Sequence, residues 1–316
     1  MTIRTYQPGD ETAQVGIYNE ACADLPKFKL AKLDEVRRRM HAPDFDPTSR
    51  FYAIEDGLPV GYATFSRTGR VSYPWCRKGY EGYATTLFET VMRAMRERGM
   101  KSAFAAYRTD WTLTRDFFLT HGFQQAREIV NYVLDLAEMP TPAARTVRSV
   151  TPLQPGDLAQ VFEEVPAGSR ATSLAALEDH LLKNPLFPPS SAFLLRNRAD
   201  NRPTAVGVLI ENSSYADPYQ IDSNMPCFRL GAFGTEGMTV KRVNGMFSFL
   251  AASGREVTLH AVELLSHAAA RLDASDVATF AAQVASDQSH LVRFYQQYFR
   301  RQGSFPIYER ALSQDG

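Results

Sequence analysis

The chain repeats itself at a fixed spacing. Gln7-Pro8-Gly9-Asp10 recurs as Gln154-Pro155-Gly156-Asp157, 154 − 7 = 147 positions later. Val60-Gly61 recurs as Val206-Gly207, at an offset of 206 − 60 = 146. Such self-similarity is typical of a duplicated structural unit. We therefore expect two copies of one domain.

The second part of the repeat has a larger offset. Asp110 returns as Asp287, and Phe117-Phe118 returns as Phe294-Tyr295, at 287 − 110 = 177. One insertion of 177 − 147 = 30 residues in the second copy explains the change. The predicted domains are 1–138 and 147–316, joined by a linker at 139–146, with the inserted segment at about 212–245.

Composition excludes several functional classes. Apolar residues make up 44% and charged residues 22% of the 316 positions, with zero net charge. This balance is typical of a globular protein and gives no indication of a nucleic-acid or membrane partner. The three cysteines, Cys22, Cys76 and Cys227, are too few and too scattered for a disulfide framework or a zinc site, so no metal is expected. Neither a signal peptide nor a membrane-length apolar run is evident, which predicts a cytoplasmic protein.

Both copies have the same predicted order of elements. Apolar periodicity, turn residues and helix stops predict a mixed α/β unit, a central sheet flanked by helices, in each copy. In the first copy, Asp10 is the predicted N-cap of a helix, and Gly99 and Gly122 are predicted helix stops. Predicted strands are 3–7, 50–55, 60–65, 71–75, 103–107 and 129–136, then 147–150, 192–196, 205–211, 227–233, 247–252, 278–284 and 305–309. Predicted helices are 12–23, 30–40, 84–98 and 111–120, then 157–164, 174–184, 257–272 and 290–301.

A glycine-bearing loop precedes the long helix of the first copy. It reads Cys76-Arg77-Lys78-Gly79-Tyr80-Glu81-Gly82-Tyr83-Ala84, and a later helix ends in Phe117-Phe118-Leu119-Thr120-His121-Gly122-Phe123. This order of elements resembles the GCN5-related N-acetyltransferases (GNAT), whose loop carries Arg or Gln, two residues, Gly, one residue, then Gly or Ala. Gly82 and Ala84 match that pattern, whereas Gly79 stands in place of Arg or Gln. The resemblance implies tandem acyl-CoA N-acyltransferase-like domains.

The resemblance also implies a coenzyme and a place for it. Acetyl-CoA carries a pyrophosphate, which the amides and dipole at a helix N-terminus attract. The expected cofactor-binding residues belong to the first copy, where the loop keeps its glycines: Trp75, Cys76, Arg77, Lys78, Gly79, Gly82, Tyr83 and Ala84. In the second copy the loop Gly254-Arg255-Glu256 has lost the equivalent glycines, and a pyrophosphate is less expected there.

Catalysis in such a family implies a proton donor for the CoA thiolate and a base for the amine. A tyrosine on the late helix commonly serves as donor. The first copy has Phe118 there, and the second has Tyr295. Expected base candidates are Glu211, His260 and Asp287, each with the alternative of a merely solvated or capping role. Which copy is active stays open.

The inserted segment is acidic and aromatic. Tyr215, Asp217, Tyr219 and Asp222 are candidate contacts to a cationic amine substrate. The alternative is a contact between domains or between copies in a homo-oligomer.

Two functions follow from the sequence. The first is transfer of an acetyl group from acetyl-CoA to an amine of a small molecule or peptide, by direct attack in a ternary complex without a covalent intermediate. The second is a non-catalytic acyl-CoA-binding or assembly protein whose two sites are both incomplete.

Overall fold

The computed structural model describes residues 1–26, 28, 30–41, 45–139, 149–165, 173–183, 190–211, 245–251, 256–272 and 279–312. The strands are β1 (Thr2–Thr5), β2 (Arg50–Glu55), β3 (Leu58–Thr64), β4 (Trp75–Cys76), β5 (Ser102–Ala106), β6 (Gln124–Asp135), β7 (Ser149–Pro152), β8 (Ala192–Arg196), β9 (Pro203–Glu211), β10 (Gly245–Ala251), β11 (Thr279–Ala285) and β12 (Arg300–Ala311). The helices are α1 (Asp10–Ala21), α2 (Leu33–Met40), α3 (Ala84–Glu97), α4 (Thr112–Thr120), α5 (Leu158–Glu164), α6 (Leu174–Leu181), α7 (Val257–Leu272) and α8 (Ser289–Tyr298).

The predicted α/β class is confirmed, and the elements follow the predicted order. In the first copy, β4 has two residues instead of the predicted 71–75, and β6 begins at Gln124, five residues before the predicted start at 129. Val71 forms only an isolated bridge, with Phe65. The predicted strand at 227–233 lies outside the described residues.

Two compact units make up the chain. The first contains residues 1–128 and 304–316, and the second contains 129–303. The units differ from the contiguous ranges 1–138 and 147–316 that the sequence predicts. The reason is strand pairing, because β5 pairs with the end of β12, while β6 pairs with β11. Apart from Met139, the predicted linker lies outside the described residues.

In the first unit, β1-β2-β3-β4 form one antiparallel sheet. Helix α1 packs on one face of it, where Gln14 accepts a hydrogen bond from the Tyr52 hydroxyl at 2.8 Å and Tyr18 contacts Trp75. β5 pairs antiparallel with β12, from Ile307↔Ala106 to Ala311↔Ser102. The core is aromatic and includes Phe88, Phe118 and Phe123.

In the second unit, the strand order is β6-β11-β10-β9-β8-β7. All neighbours are antiparallel except β10 and β11. The buried face of this sheet packs against α7 and α8 through Leu264, Leu265, Phe294 and Tyr295. Helices α5 and α6 cover a separate cluster of buried aliphatic residues.

The repeated Gln-Pro-Gly-Asp segment makes the same contacts in both copies. Asp10 accepts the Gln7 amide at 2.7 Å and pairs with Arg4, while Asp157 accepts the Gln154 amide at 2.9 Å and pairs with Arg196. Asp10 is thus the first helical residue and not the predicted N-cap, which is Gly9. The clearest repeat in the sequence therefore has a structural role, because its aspartate anchors the start of a helix in each copy.

Local turn signals also predicted the hairpin of β2 and β3. Asp56 and Gly57 both have positive φ, 51° and 78°, as a two-residue primed turn requires. Leu58 pairs with Glu55, so Leu58 and Pro59 belong to β3. Gly99 follows α3 with φ of 71°, which confirms it as a helix stop.

None of the helices in the described part of the chain is both long and apolar enough to cross a membrane.

Candidate functional site

The glycine loop of the first unit joins β4 to α3. Trp75 and Cys76 are buried in β4, Gly79 has φ of 88°, and a single 3-10 turn leads to Ala84 at the start of α3. Burial, with the charge of Glu81, raises the pKa of the Cys76 thiol to about 12. A thiol with so high a pKa is not a nucleophile at neutral pH.

Carboxylates from α1 and the turn after it neutralise the basic pair of this loop. Glu20 accepts the Lys78 amide at 3.0 Å and forms a salt bridge with Arg77 at 2.6 Å. The Lys78 ammonium lies 3.1 Å from Asp24. These groups occupy the positive charges that the sequence assigned to a pyrophosphate.

The chain also satisfies most of the loop amides. Glu81 accepts the Gly79 amide at 2.9 Å, and the Arg77 amide donates to the Val60 carbonyl. The amides of Tyr80, Tyr83 and Ala84 donate to carbonyls within the loop. Between residues 77 and 84, the amides of Glu81 and Gly82 alone have no acceptor in the described chain. A pyrophosphate in this loop stays a prediction, and this pairing argues against it.

Aromatic side chains fill the gap beside β5 in the first unit. Arg70 forms an isolated parallel β-bridge with Phe104 of β5. Beyond that bridge, the Tyr107 hydroxyl accepts a hydrogen bond from the Tyr73 amide at 2.5 Å. The rings of Trp75, Tyr107 and Trp111 lie 6.1 Å from one another. Trp75, Tyr107 and Trp111 thus form an aromatic group beside this gap.

The corresponding strands of the second unit separate. β10 and β11 pair at Gly245↔Phe280 and Met246↔Ala281. From there β10 continues beside β9 as far as Ala251, and β11 continues beside β6 as far as Ala285. Two parallel strands that diverge no longer satisfy each other's backbone groups, and an extended ligand can hydrogen-bond between them.

Tyr295 packs against β6, one strand away from the point of divergence. Its ring stacks on Tyr132 at 5.5 Å, and Tyr132 pairs with Ala282, the residue after the last paired position of β11. Burial strongly raises the pKa of Tyr295, so the phenol keeps its proton at neutral pH. The matching position in the first unit is Phe118, which has no hydroxyl.

Non-aromatic residues replace the two large rings in the second unit. At the offset of 177, Tyr107 corresponds to Val284 and Trp111 to Gln288. Trp111 and Gln288 each occupy the residue directly before a helix, α4 and α8 respectively, which supports the correspondence. The gap that is filled in the first unit thus loses two aromatic side chains in the second.

The three base candidates lie at different levels of the second unit. Glu211 ends β9 and pairs with Gly245, close to the point of divergence. Asp287 is exposed in the turn after β11, at the far end of the strand. His260 is buried in α7, with its Nε2 3.3 Å from Glu256. The structure does not bring Glu211 and Asp287 together.

Several predicted residues lie outside the described residues, namely Tyr215, Asp217, Tyr219, Asp222, Gly254 and Arg255. Within the described ranges, no three His, Cys, Asp or Glu residues are grouped so as to hold a metal ion.

The sequence analysis did not identify the residues that pair with the glycine loop or lie in the gap beside β5 of the first unit. Glu20 and Asp24 are separated from their loop partners by 57 and 54 positions, and no local pattern indicates such contacts. Tyr107 and Trp111 were detectable, because extending the offset of 177 to them shows that their counterparts are not aromatic.

Known proteins share a short stretch of this sequence and most of its fold. No family model matches the sequence. Over 63 residues the chain is 41% identical to a mycothiol acetyltransferase of Thermomonospora curvata, a match that covers 20% of this chain and only 21% of that protein.

Solved structures match over almost the whole chain. A GCN5-related N-acetyltransferase from Sphaerobacter thermophilus has a TM-score of 0.65 at 14% identity, over 98% of this chain and 95% of that one. A tandem GNAT protein of the clavulanic acid biosynthesis pathway has a TM-score of 0.57 at 12% identity, over 100% and 99%. N-myristoyltransferase of Saccharomyces cerevisiae, solved with myristoyl-CoA, has a TM-score of 0.50 at 9% identity, over 98% and 78%. The chain therefore has the fold of the tandem GCN5-related N-acetyltransferases, which confirms the resemblance at the level of the fold.

Proposed function

We propose that this protein is an N-acetyltransferase that moves an acetyl group from acetyl-CoA to an amine of a small molecule or peptide, and that the second unit is the active one. The observation that carries the proposal is the divergence of β10 and β11 beside Tyr295. The mycothiol acetyltransferase match and the fold of the solved structures support an acyltransferase.

The chemistry assigns a role to Tyr295. An alkyl amine with a pKa near 10.4 is mostly protonated at neutral pH and must lose a proton before it attacks the thioester. The attack breaks the C–S bond, and the departing thiolate needs a proton. The Tyr295 phenol, kept neutral by burial, supplies it.

Glu211 is the better placed of the two carboxylate bases. It is level with Phe280 through Gly245, two residues or about 7 Å from Ala282 along the strand direction, and two strand spacings or about 10 Å to the side. Asp287 is five residues beyond Ala282, or about 17 Å. We therefore assign proton removal from the amine to Glu211, through water, and a solvated role to Asp287.

The inserted segment supplies the acceptor side of the proposal. Asp217 and Asp222 would attract a cationic amine, and Tyr215 and Tyr219 would pack on it. Replacing both aspartates with asparagine should raise KM for the amine with less effect on KM for acetyl-CoA.

One variant tests the proton donor. Tyr295→Phe removes only the hydroxyl, and we expect kcat, measured by thiol release from acetyl-CoA, to fall by about a hundredfold. Tyr298→Phe on the same helix is the matched control and should retain parental turnover. Unchanged turnover in Tyr295→Phe would contradict the assignment of catalysis to the second unit.

A second variant distinguishes the two units as the coenzyme site. Gly82 has an ordinary φ, and a Cβ there meets nothing within 4 Å, so Gly82→Glu should fold while placing a carboxylate at the start of α3. We expect the calorimetric Kd for acetyl-CoA to stay unchanged. A Kd weakened tenfold or more would return the coenzyme to the first unit.

The alternative function predicts a different pair of results. A non-catalytic acyl-CoA-binding protein would bind acetyl-CoA in the calorimeter yet release no thiol with any amine of a broad panel. That pair of results would contradict the enzyme proposal.

A further inference from the structure

The last strand of the first copy contributes an aromatic side chain to the second unit. Tyr132 belongs to β6, which ends the first copy in sequence, yet residues 129–135 pair with β11 of the second unit. Because side chains alternate along a strand, Tyr132 shares its face with Val130 and Leu134. All three are buried in the same core as Tyr295. The surroundings of Tyr295 thus include a residue that lies 295 − 132 = 163 positions earlier in the chain.

Tyr132 covers the face of the Tyr295 ring. The two ring centroids are 5.5 Å apart with an interplanar angle of 20°, and each residue is 1% exposed. Phe294 and Phe299 instead meet the Tyr295 ring edge-on, at 73° and 80°. Protein interiors are close-packed, so a ring covered on its face by a buried partner cannot tilt toward that side without a clash.

Regular strand pairing holds Tyr132 in place. β6 and β11 keep one register from Thr279↔Asp135 to Ala285↔Ile129. Within that register Tyr132 pairs with Ala282, the first residue of β11 beyond its pairing with β10. A side chain on a paired strand is a more rigid support for a functional group than a side chain on a loop. The strand therefore presents the Tyr132 ring at the level where the two parallel strands part.

The first unit has a tyrosine at the matching strand position. Tyr308 pairs with Ala105, and 105 + 177 = 282, so Tyr308 has the register position in the first unit that Tyr132 has in the second. Both tyrosines are buried. The counterpart of Tyr295 in the first unit is Phe118, which has no hydroxyl to position. Tyr308 therefore offers a matched control, a buried tyrosine at the same register position in the other unit.

We propose that Tyr132 is a positioning residue for acetyl transfer, which holds the Tyr295 ring so that its phenol can protonate the departing thiolate. This inference rests on the proposed function, since Tyr132 acts only through Tyr295. A misplacement of about 1 Å can cost a hundredfold in rate, so the support of the donor ring matters as much as the donor itself. The proposed site of the second unit then includes a residue that the first copy supplies.

The test is a double-mutant cycle on the full chain, with thiol release from acetyl-CoA measured in the presence of an accepted amine. Tyr132→Leu removes the flat ring, and we expect kcat to fall by about tenfold while KM for acetyl-CoA stays within about twofold. Tyr132→Phe keeps the ring and should retain parental kcat. In the Tyr295→Phe background, Tyr132→Leu should lower kcat no further, because the hydroxyl that it positions is gone.

Tyr308→Leu is the control and should keep parental kcat, whatever its effect on Tm. If Tyr132→Leu does not fold, Tyr132→Met, which leaves less empty space, takes its place in the cycle with the same expectations. The inference is overturned if the substitution at position 132 leaves kcat at the parental value, if Tyr132→Phe or Tyr308→Leu loses as much, or if the loss is equally large in the Tyr295→Phe background. Unchanged kcat in Tyr295→Phe alone would overturn the proposed function itself, and this inference with it.

Discussion

Single side chains distinguish the two copies of the duplicated domain. Phe118 and Tyr295 occupy equivalent helix positions and differ by a hydroxyl, which only the second unit can donate. In the first unit, Glu20 neutralises Arg77 and takes the Lys78 amide. In three dimensions, carboxylates therefore pair with the two basic side chains of this loop.

A glycine of the second unit provides a stability prediction. A Cβ at Gly207 would lie 2.3 Å from the Phe193 ring, which is buried beneath it. Gly207→Ala should therefore destabilise the protein by about 1–3 kcal/mol, because the core must move to accept the methyl group. The measurement is the midpoint of urea unfolding.

Gly156→Ala serves as the control for that prediction, because a Cβ there meets nothing within 4 Å and φ is not positive. It should be neutral or slightly stabilising. Equal losses in the two variants would show that the contact with Phe193 is not the cause.

At the scale of elements, local signals located most helices and strands but not their pairing. Periodicity and stops gave α3 and α7 almost to the residue. The strand predicted at 71–75 was wrong in extent, because the Tyr73 amide bonds to the Tyr107 hydroxyl and not to a strand. The parting of β10 and β11 has no local signal, since each strand keeps a regular partner on its other side.

The packing of α7 on β8 predicts a pH dependence. His267 of α7 lies 4.9 Å from the Phe193 ring, and burial, with the nearby Arg271, lowers its pKa below 6.5. The unfolded chain therefore takes up the proton first as pH falls. The contribution of His267 to stability is complete above pH 6.5 and is lost below it.

Thermal unfolding at a series of pH values measures this effect. Between pH 7.5 and 5.5, we expect Tm of the parent to fall more steeply than Tm of His267→Gln. A His267→Gln slope equal to that of the parent would contradict the assignment.

The whole molecule consists of two units that do not follow the halves of the sequence. The first unit takes residues 304–316, where Tyr308 and Leu312 join its aromatic core, and the second unit takes residues 129–303. Residues 1–138 lack β12, which pairs with β5 of the first unit. Residues 147–316 lack β6, which pairs with β11 of the second unit. The duplication visible in the sequence thus does not coincide with the division into compact units.

This arrangement predicts the behaviour of fragments. Residues 1–138 expressed alone lack the partner of β5 and should be insoluble or unfolded by circular dichroism. Co-expression with residues 139–316 should recover a folded complex. A cooperative unfolding transition of the isolated fragment, with the Tm of the whole chain, would contradict the strand assignment.

The sequence by itself determined the duplication, the order of elements, the turn at Asp56-Gly57 and the two aspartate-anchored helix starts. These features depend on residues only a few positions apart, so backbone preferences and short-range hydrogen bonds decide them. Tertiary structure alone decided that β12 completes the first unit, that Glu20 closes its loop and that β10 parts from β11. Those contacts join residues far apart in the chain, where only the packing of the finished core selects one partner over another.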